Sequence, residues 1–279
     1  MSYVEYQVSR AEHGVKLRDW LAKRLKLSGR RAKTLLDAHN VSVNTRRVWM
    51  AGHTLKIGDT VGILEDLRNA EPSATPTRVM FQDAAYLVVD KPPGVPTNGP
   101  DSFEERLRTE RGETDLIAAH RLDRDTTGCL LVARNRAAFD AVVAIFREQR
   151  VDKEYRTIVV GRLHARDRVI DAPVEGQRAI SRVTTLSATT AASYLAVKTL
   201  TGRTHQIRVH LAGLRHPVLG DRQYGPPSGL TAQQMRVPRQ MLHAASLSFP
   251  HPNTGKVVNV QASLPADFKE CLASFKLRE

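Results

Sequence analysis

The chain has 279 residues, 41% of them hydrophobic, and carries 42 Lys+Arg against 29 Asp+Glu, a formal charge of +13. That is enough apolar material for a core, while no apolar run approaches the roughly 18 residues of a membrane-spanning helix. Met1–Tyr6 lacks a signal-peptide stretch, and two cysteines, Cys129 and Cys271, make neither a disulfide framework nor a four-ligand zinc site. The positive charge is 31 Arg and 11 Lys; this Arg excess suits bidentate phosphate contacts, so nucleic acid leads as partner and the cytoplasm as compartment.

Residues 1–66 read as a separate small α/β unit. Leu17, Trp20, Leu21 and Leu25 recur at helical spacing. Ser28-Gly29 breaks that helix, with Ser28 placed to cap a second one that turns Ala32, Leu35 and Leu36 inward. Val41–Val43, a turn at Asn44-Thr45, and Thr60–Leu64 after Gly58-Asp59 read as strands. Lys23, Arg24, Lys26, Arg30, Arg31 and Lys33 crowd the helix junction, six positives in eleven residues with no acid among them. Residues 67–77, polar with two prolines, read as a linker, and 78–279 as one catalytic-sized domain.

In that larger part, strands are expected at Tyr86–Val89, Cys129–Ala133, Tyr155–Val160 and Leu242–Phe249. Helices are expected at Phe103–Arg108, Ala137–Arg147, Gln206–Leu211 and Ala266–Phe275. Val257–Val260, after Asn253-Thr254-Gly255, reads as the return arm of a hairpin.

Three segments could carry chemistry. His120-Arg121-Leu122-Asp123-Arg124-Asp125-Thr126-Thr127-Gly128 precedes an apolar strand, and its Arg residues would keep Asp123 ionised, as a nucleophile must be. Lys153-Glu154-Tyr155 leads into an alternating strand. Gly202-Arg203-Thr204-His205-Gln206-Ile207-Arg208-Val209-His210 combines a tight turn, a helix that Thr204 could cap, and Arg208 one turn later. Its two histidines are five apart and miss the face a helical metal pair needs; no phosphate-binding glycine loop or Gly-x-Ser-x-Gly elbow is present.

Residues 15–64 resemble the S-four-type RNA-binding domain, with Asn44-Thr45 where that family usually has Asn-Gly. The three later segments resemble, in order, the aspartate, tyrosine and basic motifs of the RluA-type pseudouridine synthases, with Thr127 where Ser is commoner. Lys91-Pro92-Pro93-Gly94, His216-Pro217-Val218-Leu219-Gly220-Asp221 with Tyr224-Gly225, and Leu242-His243-Ala244 fit as well, so the likeness covers about residues 79–265. After Lys91-Pro92-Pro93-Gly94 the histidine common in the family is missing.

The resemblance implies an α+β fold, with a mixed, largely antiparallel central sheet and flanking helices. It implies an isomerase that breaks the N1–C1′ bond of a uridine, turns the base and joins C5 to C1′, with no cofactor and no metal. By the same likeness Asp123 is the catalytic carboxylate, which can stabilise or trap the sugar or attack the base, Tyr155 stacks on the base and can share in the proton transfer, and Arg208 pairs with Asp123. Arg121 fills the stack that the extruded base vacates. His120, Thr126, Thr127, Gly202, Arg203, Thr204, His205, Gln206 and Leu242 complete the substrate site. Structured RNA is the partner, ribosomal in preference to transfer RNA, and a monomer is expected. Two other readings compete: a non-catalytic RNA-binding or ribosome-assembly factor on the same fold, and a metal-dependent nuclease built on Asp123, Asp125 and Asp221.

Overall fold

The computed structural model describes residues 3–37, 41–44, 46–48, 50–64, 76–226 and 228–279. The chain divides into two compact units, 1–76 and 77–279. The expected linker falls almost wholly outside the described residues.

In the first unit, β1 (Tyr3–Gln7), α1 (Leu17–Arg24), α2 (Gly29–Asp37), β2 (Val41–Val43), β3 (Arg46–Arg47) and β4 (Thr60–Leu64) follow in order. The strands form an antiparallel sheet in the order β1-β4-β2-β3. Leu17, Trp20 and Leu21 of α1 meet Ala32, Leu35 and Leu36 of α2 and Val41, Val61 and Ile63 of the sheet in one core. Trp20 keeps its indole N–H satisfied by donating to Glu12 Oε1 at 2.8 Å. β1 was not anticipated. Its residues alternate between half-buried and exposed, and pairing with β4 turns that short alternation into a strand.

The second unit holds β5 (Val79–Gln82), β6 (Tyr86–Lys91), α3 (Phe103–Arg111), β7 (Ile117–Ala118), β8 (Thr127–Ala133), α4 (Arg136–Arg147) and β9 (Asp152–Val160). Then come β10 (Arg168–Asp171), β11 (Ile180–Ala188), β12 (Ala192–Thr199), α5 (Gln206–Gly213), α6 (Ala232–Met235), β13 (Leu242–Pro250), β14 (Val257–Gln261) and α7 (Ala266–Ser274). One sheet runs β10-β11-β12-β9-β13-β8-β6-β5, with β14 beside β13 and β7 beside β8. Every pairing is antiparallel except β13 with β8. The fold is therefore α+β, with a mixed, mostly antiparallel sheet.

Three apolar cores position the site. β8 is buried along its whole length, and α4 lays Ala138, Val142 and Ile145 against it, started by Asn135 accepting the Ala138 N–H. α5 packs Ile207 and Leu211 on Val159, Leu195 and Val197, and α7 packs Phe268 and Leu272 on Ile158 and Tyr194. The parallel junction is only two residues long: Thr127 sits opposite His243 and Gly128 opposite Ala244. Gly128 has φ +106°, and a Cβ there would come within 2.2 Å of the Ala244 carbonyl oxygen, so only glycine allows this approach. A strained approach of this kind at β8 sets where the preceding turn, with Asp123, can lie.

Candidate active site

Asp123 lies in the turn between β7 and β8, and buried donors hold that turn from behind. Lys91, fully buried at the end of β6, donates its ammonium protons to the carbonyls of Pro92, Asp123, Arg124 and Thr126 at 3.0–3.3 Å. Burial pulls its pKa down to about 7, against the opposing pull of Asp125 and Asp123. Thr97 Oγ1 donates to the Leu122 carbonyl at 2.7 Å and accepts the Leu122 N–H at 3.0 Å. Gln240 donates to Thr126 Oγ1 at 2.8 Å and reaches Asp123 Oδ2 at 3.4 Å.

The carboxylate of Asp123 faces Arg208 on α5. Arg208 Nη1 donates to Asp123 Oδ2 at 3.0 Å. The rest of that guanidinium is held by Asp221, through Nε to Oδ2 at 2.6 Å and Nη2 to Oδ1 at 3.0 Å. Asp221 has a fully buried side chain and also accepts the N–H groups of Gln223 and Tyr224. Burial alone would lower the pKa of Arg208. Hydrogen bonds and charge from Asp221, joined by Asp123, raise it instead. The Tyr224 ring lies 5.0 Å from the guanidinium carbon, so Arg208 is fixed on a face as well as at its nitrogens.

A cleft of about 250 Å³ opens in front of Asp123. His120, Arg121, Asp123, Thr126, Tyr155, Gly202, Arg203, Thr204, His205, Gln206, Arg208 and Leu242 all line it, so most of the residues expected at the site are brought together. Asp123 is the only acid among the lining residues, beside Arg121, Lys153, Arg203 and Arg208. Tyr155 reaches the cleft from β9; burial, with Asp123 and Cys129 nearby, pushes its hydroxyl above the usual phenol range and keeps it protonated. His205 places Nε2 3.7 Å from Asp123 Oδ1 and Nδ1 3.0 Å from the Tyr224 hydroxyl. Burial lowers its pKa, favouring the neutral ring.

Several expectations change. Thr204 does not cap α5: His205 occupies the N-cap in a left-handed conformation, φ 55°, and makes no side-chain cap bond. The turn needs a positive φ there, and such non-glycine strain persists only where the surroundings enforce it. Thr127 does not reach the cleft; it is buried, with Oγ1 2.8 Å from His243 Nδ1. Gln206 lines the cleft but spends its amide on Ile180 O, Ser181 Oγ and Thr201 Oγ1. His120 accepts the Leu131 N–H on Nε2, and burial pushes its pKa down to about 3, so it is a neutral wall. Asp125 does not line the cleft. In the first unit Lys23, Arg24, Lys26 and Lys33 are exposed, whereas the side chains of Arg30 and Arg31 lie outside the described residues.

Residues the sequence reading missed are Lys91, Asp221 and Gln240 as supports and Lys153 and Phe146 as walls. Lys91 and Asp221 sat inside motif pieces already singled out; Gln240 carries no local signal. Among the described residues, no three His, Cys, Asp or Glu are grouped so as to hold a metal ion. The Arg208 guanidinium itself bridges Asp123 and Asp221, two of the three carboxylates of the nuclease reading.

The sequence profile described as RNA pseudouridylate synthase matches residues 85–213. The chain is 31% identical over 275 residues to the ribosomal large subunit pseudouridine synthase C of Vibrio cholerae serotype O1, covering 87% of each. It is 33% identical to the ribosomal large subunit pseudouridine synthase D of Xanthomonas campestris pv. campestris, covering 80% of this chain and 77% of the relative. Among solved structures, human RNA pseudouridylate synthase domain containing 4 superposes with a TM-score of 0.62 at 26% identity, over 72% of this chain and 94% of that one. Human RNA pseudouridylate synthase domain containing 1 gives 0.58 at 28% identity, over 72% and 90%.

Proposed function

Because the chain belongs to the RNA pseudouridylate synthase family, we propose that it converts particular uridines of ribosomal RNA to pseudouridine, with Asp123 as the reacting carboxylate. It is an RNA-modifying isomerase, and RNA is its partner. The observation that carries the assignment of Asp123 is its place as the sole acid of the cleft, fixed by Arg208 from one side and its turn by Lys91 from behind. The ribosomal target rests on the likeness to the ribosomal large subunit pseudouridine synthases of Vibrio and Xanthomonas.

The reaction breaks N1–C1′, rotates the uracil, forms C5–C1′ and moves one proton from C5 to N1, so atoms and charge balance with nothing added. Positive charge that develops on the sugar as N1–C1′ lengthens is stabilised by the Asp123 carboxylate. Asp123 is also the group placed to take the C5 proton, because Tyr155 is held as the phenol and His120 is committed to Leu131. Tyr155 and Leu242 offer an apolar face for the ring. Arg208 and Gln240 keep Asp123 aimed at the cleft. Exposed Arg121 at the rim fills the space left by the extruded base.

The first unit, two helices on an antiparallel sheet with Lys23, Arg24, Lys26 and Lys33 at the helix junction, is an S-four-type RNA grip in this reading. The enzyme acts in the cytoplasm as a monomer and without metal. The thiols of Cys129 and Cys271 are free and buried, and that burial pushes both up to about 12. The test is pseudouridine mapping on an unmodified large-subunit ribosomal RNA transcript. Wild type should install pseudouridine at discrete positions and Asp123→Asn none, while both bind the RNA alike; undiminished conversion by Asp123→Asn sinks the assignment.

A further inference from the structure

We propose that Lys153 is a phosphate subsite, holding the backbone phosphodiester of the nucleotide that enters the cleft; this rests on the reading of the cleft as a uridine site. Lys153 and Tyr155 are two residues apart on β9, so strand alternation turns both side chains to the same face, and both line the cleft. The Lys153 ammonium lies 5.8 Å from the centre of the Phe146 ring. It also lies against the loop before α5, where a Cβ on Gly202 would be 3.5 Å from Nζ.

That ammonium has no ion pair among the described residues. Its sequence neighbour Glu154 is turned away and engaged by Arg156 and Lys198. Burial alone lowers the pKa of Lys153, and no acid offsets the shift. A desolvated cation without an anion is costly, and the debt is cleared when an anion arrives. Arg208, by contrast, already has two carboxylates.

Phosphate is the anion that fits. Uracil is neutral and offers a cation only its carbonyl dipoles, whereas the diester carries a full charge. Two residues of strand span roughly 7 Å, so a ring resting on Tyr155 leaves Lys153 a sugar's length away, where the backbone must pass. The Phe146 face, the Lys153 stem and Gly202, which has no side chain to intrude, leave room for that passage.

The probe is the unmodified large-subunit ribosomal RNA transcript, with binding measured across potassium chloride concentrations and turnover measured as pseudouridine formed. For Lys153→Gln, the slope of log K against log salt should shrink by about 0.7–0.9, the value of one phosphate contact. KM should rise roughly tenfold with a smaller change in kcat, and Lys153→Arg should recover most of both. Lys269→Gln, on exposed α7, removes the same charge and should leave the slope unchanged. An unchanged slope in Lys153→Gln, or an equal loss in Lys269→Gln, overturns the subsite. Should Lys153→Gln melt early, Lys153→Met, which keeps the apolar stem, takes its place under the same criteria. If wild type fails to isomerise the transcript, the functional reading falls, yet the binding slope still decides the subsite because it needs no turnover.

Discussion

Replacing Asp221 by Asn keeps the shape of the side chain and removes one charge behind Arg208. In the wild type the guanidinium makes two short bonds to Asp221, at 2.6 and 3.0 Å, against one to Asp123 at 3.0 Å. Asp221 therefore sets the orientation and Asp123 receives its benefit. The asparagine amide can accept one of the two N–H groups but presents its own N–H to the other, so one arm of Arg208 is released. Breaking a buried pair by removing one partner costs about 3–5 kcal/mol, and at roughly 2–4 °C per kcal/mol for a unit of this size the melting temperature should drop by about 10 °C. If Asp123 is the reacting group as proposed, a displacement near 1 Å of its carboxylate costs about 100-fold in rate. Thus kcat on the ribosomal RNA transcript should fall by about two orders of magnitude at a temperature where the variant is fully folded by circular dichroism, with KM little changed. Asp221→Glu, which restores the charge at a longer reach, should recover part of kcat. A folded Asp221→Asn variant with kcat within threefold of wild type would refute the idea that Arg208 needs this tether.

Three further outcomes follow from the same geometry. Gly128→Ala should lower stability by about 3 kcal/mol or more, since its Cβ would meet the Ala244 carbonyl at 2.2 Å and φ is +106°; a melting curve like wild type's would count against the close β8–β13 approach. For Lys91, the folded pKa of about 7 lies below the usual 10.5, so the unfolded chain binds more protons between those values and stability should climb with pH across that window. Urea unfolding at pH 6.5 and 9 should show this climb in wild type and a smaller one in Lys91→Met, and equal slopes would contradict it. Turnover should survive EDTA, because the Arg208 guanidinium occupies the place between Asp123 and Asp221; loss of activity restored by a divalent cation would reopen the nuclease-like reading of those acids.

What could be read from the residues was local. Asp123, Tyr155 and Arg208 stood in motifs, and the helices expected at Phe103–Arg108 and Ala137–Arg147 run Phe103–Arg111 and Arg136–Arg147, with Ser102 and Asn135 capping their starts. β11 and β12 did not: Ile180–Ala188 is rich in Ser and Thr, half-buried and interrupted by a bulge between Thr185 and Ser187, so no clean alternation survives. Gln240 bonds Thr126 and Asp123 from more than 110 positions away, and no periodicity encodes such a partner. The left-handed His205 escaped notice because the turn before α5 is shaped by Gln206 gripping Thr201 and Arg203, contacts that exist only once the loop has closed. Asp221 was visible as a motif letter and as an acid of the nuclease reading, and its bond to Arg208 gives it a different part, as a tether.

The two-residue parallel junction between β8 and β13 also sets a schedule. A ribosome releases Asp123 first, then Tyr155, then Arg208, and only afterwards Gln240 and the strand Leu242–Pro250 that clamps Thr127 and Gly128. Until that last strand is threaded between β8 and β9, the aspartate turn lacks the Gln240 bond to Thr126 and the pairing of Thr127 and Gly128 with β13. An unfinished chain thus carries Lys91, Asp123, Arg208 and Asp221 before the strand that completes their setting. Birth order makes Leu242–Pro250 the last strand of the site to arrive.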